Sequence, residues 1–177
     1  FFKKGSSPQN IFVRKEMKGL EWGVFYNQFK DQIFDTAELE KEIAELMASV
    51  EDPGVFVLDY VPNASAESIK EVGEEFFRII RNAHPEVPVV FIEDVIFPHS
   101  LFDNKILKEV TDKNLAQKEL FRRLKKSGEK KIYYISAEGM IGDDGEATVD
   151  GIHFTDLGAM RYVDFILPTI KKAMRKN

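Results

Sequence analysis

The chain has 177 residues, enough for one domain with a substantial core and too few for two. Hydrophobic residues make up 44% and charged residues 31%, a balance that excludes a disordered chain. A net charge of -5 argues against nucleic acid as partner. No apolar run approaches the roughly 20 residues of a membrane span, and the lack of cysteine excludes disulfides, thiolate catalysis and zinc-thiolate sites.

The chain begins at Phe1 with no initiator Met and no signal-peptide pattern, which reads as a mature or trimmed product. Phe1-Phe2 reads as the stub of a strand, followed by a Gly5-Ser6-Ser7-Pro8 turn. Val24-Phe25-Tyr26 reads as a short strand. Leu39, Ile43, Leu46 and Val50 form the apolar stripe of a helix that Pro53-Gly54 ends. Val55-Phe56-Val57-Leu58 is the first clear strand, near-continuously apolar as in parallel strands covered on both faces.

A second helix starts around Ser65, carries Ile69, Val72, Phe76 and Ile80, and ends at His84-Pro85. A strand over residues 87–92 follows, then a helix from about Asp103 to Lys126 that Ser127-Gly128 ends. Residues 131–135 make the next strand. The last helix carries Leu157, Met160, Val163, Leu167, Ile170 and Met174, with Pro168 read as a kink or restart.

Strand–helix alternation of this kind predicts an α/β fold, a three-layer sandwich with a parallel sheet of four to five strands and helices on both faces. No repeat, low-complexity segment or linker interrupts it, so residues 1–177 read as a single domain. In such sheets ligands bind beyond the carboxyl ends of the strands. The polar stretches in that position are residues 59–63, 93–99 and 136–153.

Asp150-Gly151-Ile152-His153 stands out among them. A carboxylate three residues before a histidine can orient the imidazole and fix its tautomer through local structure alone, as a nucleophilic hydrolase requires. The plainer alternative is a turn aspartate and a surface histidine. Asn63 ends the stretch after the Val55 strand, where its amide can donate to a developing oxyanion or cap the next helix. Both hold if Ser65 is the cap.

His99 follows the strand over residues 87–92, on the same edge, and reads as a solvated loop histidine with a second option as a substrate contact. His84 reads as a helix-end residue on terminal carbonyls. Asp143, Asp144, Glu146, Asp150 and Asp156 lack the spacing of a calcium loop and read as a solvated acidic loop. No glycine-rich phosphate loop is present.

Three stretches carry a resemblance to a known superfamily: Leu58-Asp59-Tyr60-Val61-Pro62-Asn63, Phe91-Ile92-Glu93-Asp94, and residues 142–153 ending in Asp150-Gly151-Ile152-His153. Together they resemble the SGNH (GDSL-type) hydrolases, and more narrowly a bacterial GDSL-like acylhydrolase branch. The resemblance implies a Ser-His-Asp ester hydrolase on a flavodoxin-like sheet, with no metal and no cofactor. It makes His153 the general base, Asp150 its orienting carboxylate and Asn63 the side-chain donor of the oxyanion hole.

In the first block Gly5-Ser6-Ser7 is the match, which makes Ser7 the nucleophile; the alternative is a flexible turn. The second block falls on Ile33-Phe34-Asp35-Thr36, with Phe34 or Asp35 where the family has the glycine whose N–H completes the oxyanion hole. The helix starting at Leu39 makes Asp35 or Thr36 an alternative N-cap. The implied substrate is a small-molecule or glycan ester, acetyl esters of carbohydrates above all, and the implied location is secreted or periplasmic. The competing expectation is a non-catalytic domain of the same fold that binds a glycan or a protein partner.

Overall fold

The structure, a computed structural model, describes Phe12–Arg14 and residues 39–175. Along this span the elements are β1 (Phe12–Arg14), α1 (Lys41–Ala48), β2 (Pro53–Leu58), a 3-10 turn (Val61–Asn63), α2 (Ala66–Ala83), β3 (Val89–Ile92), a second 3-10 turn (Pro98–Leu101), α3 (Asn104–Lys126), β4 (Ile132–Ile135) and α4 (Asp156–Arg175). The strands expected at residues 1–2 and 24–26 lie outside the described residues.

β2, β3 and β4 pair in parallel, in register Leu58–Phe91–Tyr134. The described sheet therefore holds three parallel strands, with helices α2 and α3 as the crossovers between them. β1 adds an antiparallel edge against β2, pairing Phe12 with Phe56. Three residues are too few to show a strand period, so this edge was not expected from the sequence.

Side chains alternate across the sheet and build two cores. Phe56, Leu58, Val89, Phe91 and Ile132 pack with α1, α2 and α3. Val55, Val57, Val90, Ile92 and Ile135 pack with α4. All six residues of β2 are buried, which accounts for its unbroken apolar sequence.

Helix ends follow their local chemistry. Ser65 caps α2 in a reciprocal pair with Ser68, each side chain accepting from the other's backbone N–H at 3.0 Å. Asp103 caps α3 through Lys105 N–H at 2.8 Å. His84 does meet a helix-terminal carbonyl, but that of Ala48 at the end of α1, 2.8 Å from its Nε2. α4 runs through Pro168 as one helix, so no restart occurs there. No helix among the described residues is long and apolar enough to cross a membrane.

Two stripes differ from expectation. In α1, Ala44 and Met47 face the core and Leu46 faces out. In α4 the buried row is Gly158, Tyr162, Ile166, Ile170, Ala173 and Met174, whereas Leu157 and Met160 are exposed. The cause is a close approach. A Cβ at Gly158 would stand 1.9 Å from the Ala147 carbonyl oxygen, so the first turn of α4 presses its backbone against the preceding loop and rotates the helix about that contact.

Gly158→Ala therefore forces α4 away from residue 147. We expect a loss of about 1–3 kcal/mol or more in unfolding free energy, the range for overpacking a tight contact, measured by chemical denaturation. An unchanged midpoint would show that α4 is not seated on this contact.

Candidate active site

The carboxyl ends of β2, β3 and β4 deliver residues 59–63, 93–99 and the long loop 136–155 to one edge of the sheet. A cavity of about 430 Å³ opens there. Its lining includes Asn63, His153, Asp59, Asp94, His99 and Tyr162.

The turn bearing His153 is built from its own backbone. Val149 N–H donates to the His153 carbonyl at 2.8 Å and Thr155 N–H to the Ala147 carbonyl at 3.0 Å, closing a small antiparallel hairpin. Inside it Asp150 Oδ1 accepts from the N–H groups of Ile152 (3.0 Å) and His153 (2.8 Å). Gly151 holds φ +90°, which side-chain-bearing residues rarely adopt. Thr155 then caps α4, accepting from Gly158 N–H at 3.0 Å.

The turn aims Asp150 Oδ2 at the imidazole. His153 Nδ1–H donates to it at 2.6 Å, and because a carboxylate only accepts, this bond places the imidazole's proton on Nδ1. The His153 backbone N–H, its side chain and the Ile152 N–H hold the Asp150 carboxyl well below the usual carboxylate range. Both side chains remain about half exposed, at 46% and 50%.

Asn63 ends the first 3-10 turn, exposed and on the same cavity. Ser65 takes the cap of α2, so the amide of Asn63 is not used for capping. Asp150, His153 and Asn63 are thus brought to one edge by two separate segments. Ser7, Phe34 and Asp35 lie outside the described residues.

The sequence did not single out the floor of this cavity. Asp59, the first residue after β2, is buried and accepts from Tyr162 Oη at 2.5 Å. Burial pushes its carboxyl up to about 8; the Tyr162 bond opposes this and the charge of Asp94 adds to it. Asp94 is also raised, to about 6, chiefly by burial, with Lys113 and the Val95 N–H pulling the other way. Its backbone is clamped to α3 by the Asn114 side chain, which accepts from Asp94 N–H (2.7 Å) and donates to Asp94 O (2.8 Å). Glu93 accepts from Tyr134 Oη (2.6 Å) and Ala137 N–H (2.8 Å), tying β3 to the segment after β4. The available signal was position: carboxyl groups directly after fully apolar strands.

The acidic loop is solvated as expected, with Asp143, Asp144, Glu146, Asp150 and Asp156 all exposed, but it is not loose. Arg161 on α4 grips Asp144 with both terminal nitrogens, each at 2.6 Å, and bonds the Ile141 carbonyl at 3.1 Å. This pins the loop that leads to Asp150.

The carboxyl edge of the parallel sheet thus carries a carboxylate-held histidine and an exposed side-chain amide over one cavity, at the place where open α/β sheets bind their ligands. The chain belongs to the GDSL-like lipase/acylhydrolase family, whose model matches residues 33–171. It is similar to the crystal structure of a protein designated a GDSL-like lipase from Bacteroides ovatus ATCC 8483, with 34% identity, a TM-score of 0.74 and coverage of 77% of this chain. It also resembles the salicylyl-acyltransferase SsfX3 of a tetracycline biosynthetic pathway, with 17% identity over 76% of this chain and a TM-score of 0.60, a likeness of fold. The chain spans 40% and 41% of the length of these two structures. No curated protein matches it.

The buried carboxyl of Asp59 has a stability signature. Below about pH 4 it is protonated in both folded and unfolded chains. From there to about pH 8 the unfolded chain releases the proton and the folded chain keeps it, so stability falls with rising pH by at most about 1.4 kcal/mol per unit. Asp59→Asn keeps an acceptor for Tyr162 and does not titrate. Its melting temperature should gain on that of the wild type as pH rises from 5 to 8; parallel curves would refute the assignment.

Proposed function

We propose that this chain hydrolyses acyl esters, acetyl esters of carbohydrates in particular, by a Ser-His-Asp mechanism. The observation that carries the reading is the 2.6 Å bond from His153 Nδ1 to Asp150 on a cavity shared with Asn63. We take Ser7 as the nucleophile. The fold that suits this reading is a flavodoxin-like, three-layer single domain over residues 1–177 with four to five parallel strands; cores on both faces of the sheet support it.

In this scheme His153 Nε2 accepts the Ser7 hydroxyl proton as Oγ attacks the acyl carbonyl carbon, breaking the C=O π bond. The Asn63 amide and backbone N–H groups at Ser7 and at Phe34 or Asp35 hold the resulting oxyanion. As the tetrahedral intermediate collapses, the protonated His153 gives its proton to the departing alcohol oxygen. Water repeats the sequence on the acyl-serine, releasing the acid and restoring the serine. Asp150, ionised throughout, keeps Nδ1 protonated and balances the imidazolium charge.

The second reading is a domain of the same fold that binds a glycan or a protein partner without turnover. Phe34-Asp35 standing where the family has a glycine favours it.

His153→Ala and Ser7→Ala should each abolish hydrolysis of 4-nitrophenyl acetate, and Asp150→Asn should lower kcat by about 10³–10⁴, as expected for loss of the tautomer-fixing carboxylate. A fluorophosphonate probe should label Ser7, located by peptide mapping. Labelling at another serine would move the nucleophile, and no labelling with no turnover would establish the binding domain.

A further inference from the structure

His99 is a polar cavity residue that the hydrolytic scheme leaves unused. It sits in the 3-10 turn after β3, half-buried, with its ring stacked on Phe97 at 6.0 Å between centroids and 29° between planes. Phe97 in turn lies 6.4 Å from Phe154, the residue after His153. On the other side the ring meets the turn that carries Asp150 and His153: a Cβ at Gly151 would come within 2.9 Å of His99 Nδ1 and 3.3 Å of its Cγ.

One edge of the imidazole is therefore sealed. Nδ1 is buried against Gly151 and makes no hydrogen bond. A buried N–H with no acceptor is costlier than a bare ring nitrogen against a C–H, so the neutral ring carries its proton on Nε2. Nε2 lies across the ring from the sealed Nδ1–Cγ edge and is not among the buried unpaired atoms, and His99 is part of the cavity lining. One stacked face and one sealed edge leave this donor little freedom to turn away. The cavity around it combines apolar surfaces, Phe97, Phe154 and Val163, with an exposed acceptor, Glu109. Such a mixture suits a molecule with both C–H faces and hydroxyl groups.

We propose that His99 is a specificity-determining residue, its Nε2–H donating to a hydroxyl oxygen on the alcohol portion of the ester, so that the cavity selects polyhydroxylic alcohols over plain alkyl ones. This rests on the ester-hydrolysis reading above and adds the group that reads the alcohol. Selection of this kind is stronger than an apolar pocket achieves by shape, because a bound ester that covers the donor without offering it a hydroxyl leaves it unpaired.

The test compares glycerol monoacetate with propyl acetate, which share a carbon skeleton and differ in two hydroxyls. Wild-type protein should prefer the glycerol ester in kcat/KM. His99→Phe keeps a ring against Gly151 and Phe97 but removes the donor, and should lower that preference about tenfold, through KM, the effect of one hydrogen bond of about 1.4 kcal/mol. His99→Gln returns an N–H near the Nε2 position and should restore most of it. A wild-type enzyme without preference, or a preference that survives in His99→Phe, would overturn the proposal. If neither ester is hydrolysed, the hydrolytic reading fails separately. The assignment of His99 is then read by proton NMR, from its imidazole Hε1 signal, identified by its loss in His99→Phe. A saturable shift with glycerol monoacetate and none with propyl acetate supports the role; equal or absent shifts end it.

Discussion

A hydrogen bond between residues 103 positions apart holds the candidate site to the sheet. Tyr162 Oη meets Asp59 at 2.5 Å in the interior, joining the end of β2 to α4. The start of α4 is also the end of the loop that presents His153, so the seat of this helix sets where the imidazole stands. Gly158 makes that seat attainable by letting the helix backbone touch residue 147. The bond needs a buried carboxyl, and an isolated carboxylate is expensive in such a place. Retaining a proton is the solution here, which is why the Asp59 carboxyl rises to about 8 although the Tyr162 bond opposes the shift.

What the sequence disclosed follows the range of each interaction. The three parallel strands were legible because β2 and β3 are buried on both faces and so are written in apolar residues without alternation. Ser65, Asp103 and the Ser127-Gly128 end were legible because caps act within three or four residues. The face of α4 was not. Its buried row contains a glycine and a tyrosine, neither of which marks a core stripe, while Leu157 and Met160, which do, are turned outward. A pattern of hydrophobicity cannot register a contact whose point is the absence of a side chain.

The site divides along the same line. Asp150 and His153 are three residues apart, and their geometry is a property of one turn, so spacing alone was enough to single them out. Asn63 was ambiguous between cap and cavity until Ser65 was seen to take the cap. Asp59, Asp94 and Tyr162 depend on contacts across the sheet, the first spanning 103 residues, and no local signal separates a buried aspartate after a strand from an exposed one. His99 was read as solvated because its two packing partners, Phe97 and Gly151, include one 52 positions away.

Three carboxyls on or beside one cavity end up in different protonation regimes, and the arrangement accounts for each. Asp150 is exposed and held by two N–H groups and an imidazole, all favouring its charged form. Asp59 is buried with one hydroxyl donor and is neutral near pH 7, while Asp94, at about 6, lies between. Environments that push titratable groups apart in this way separate the roles open to them. At neutral pH the carboxylate paired with His153 is the one stabilised as an anion by its own turn. By keeping its proton, Asp59 serves the fold through Tyr162, while the direction of His153 is set within its own turn by Asp150.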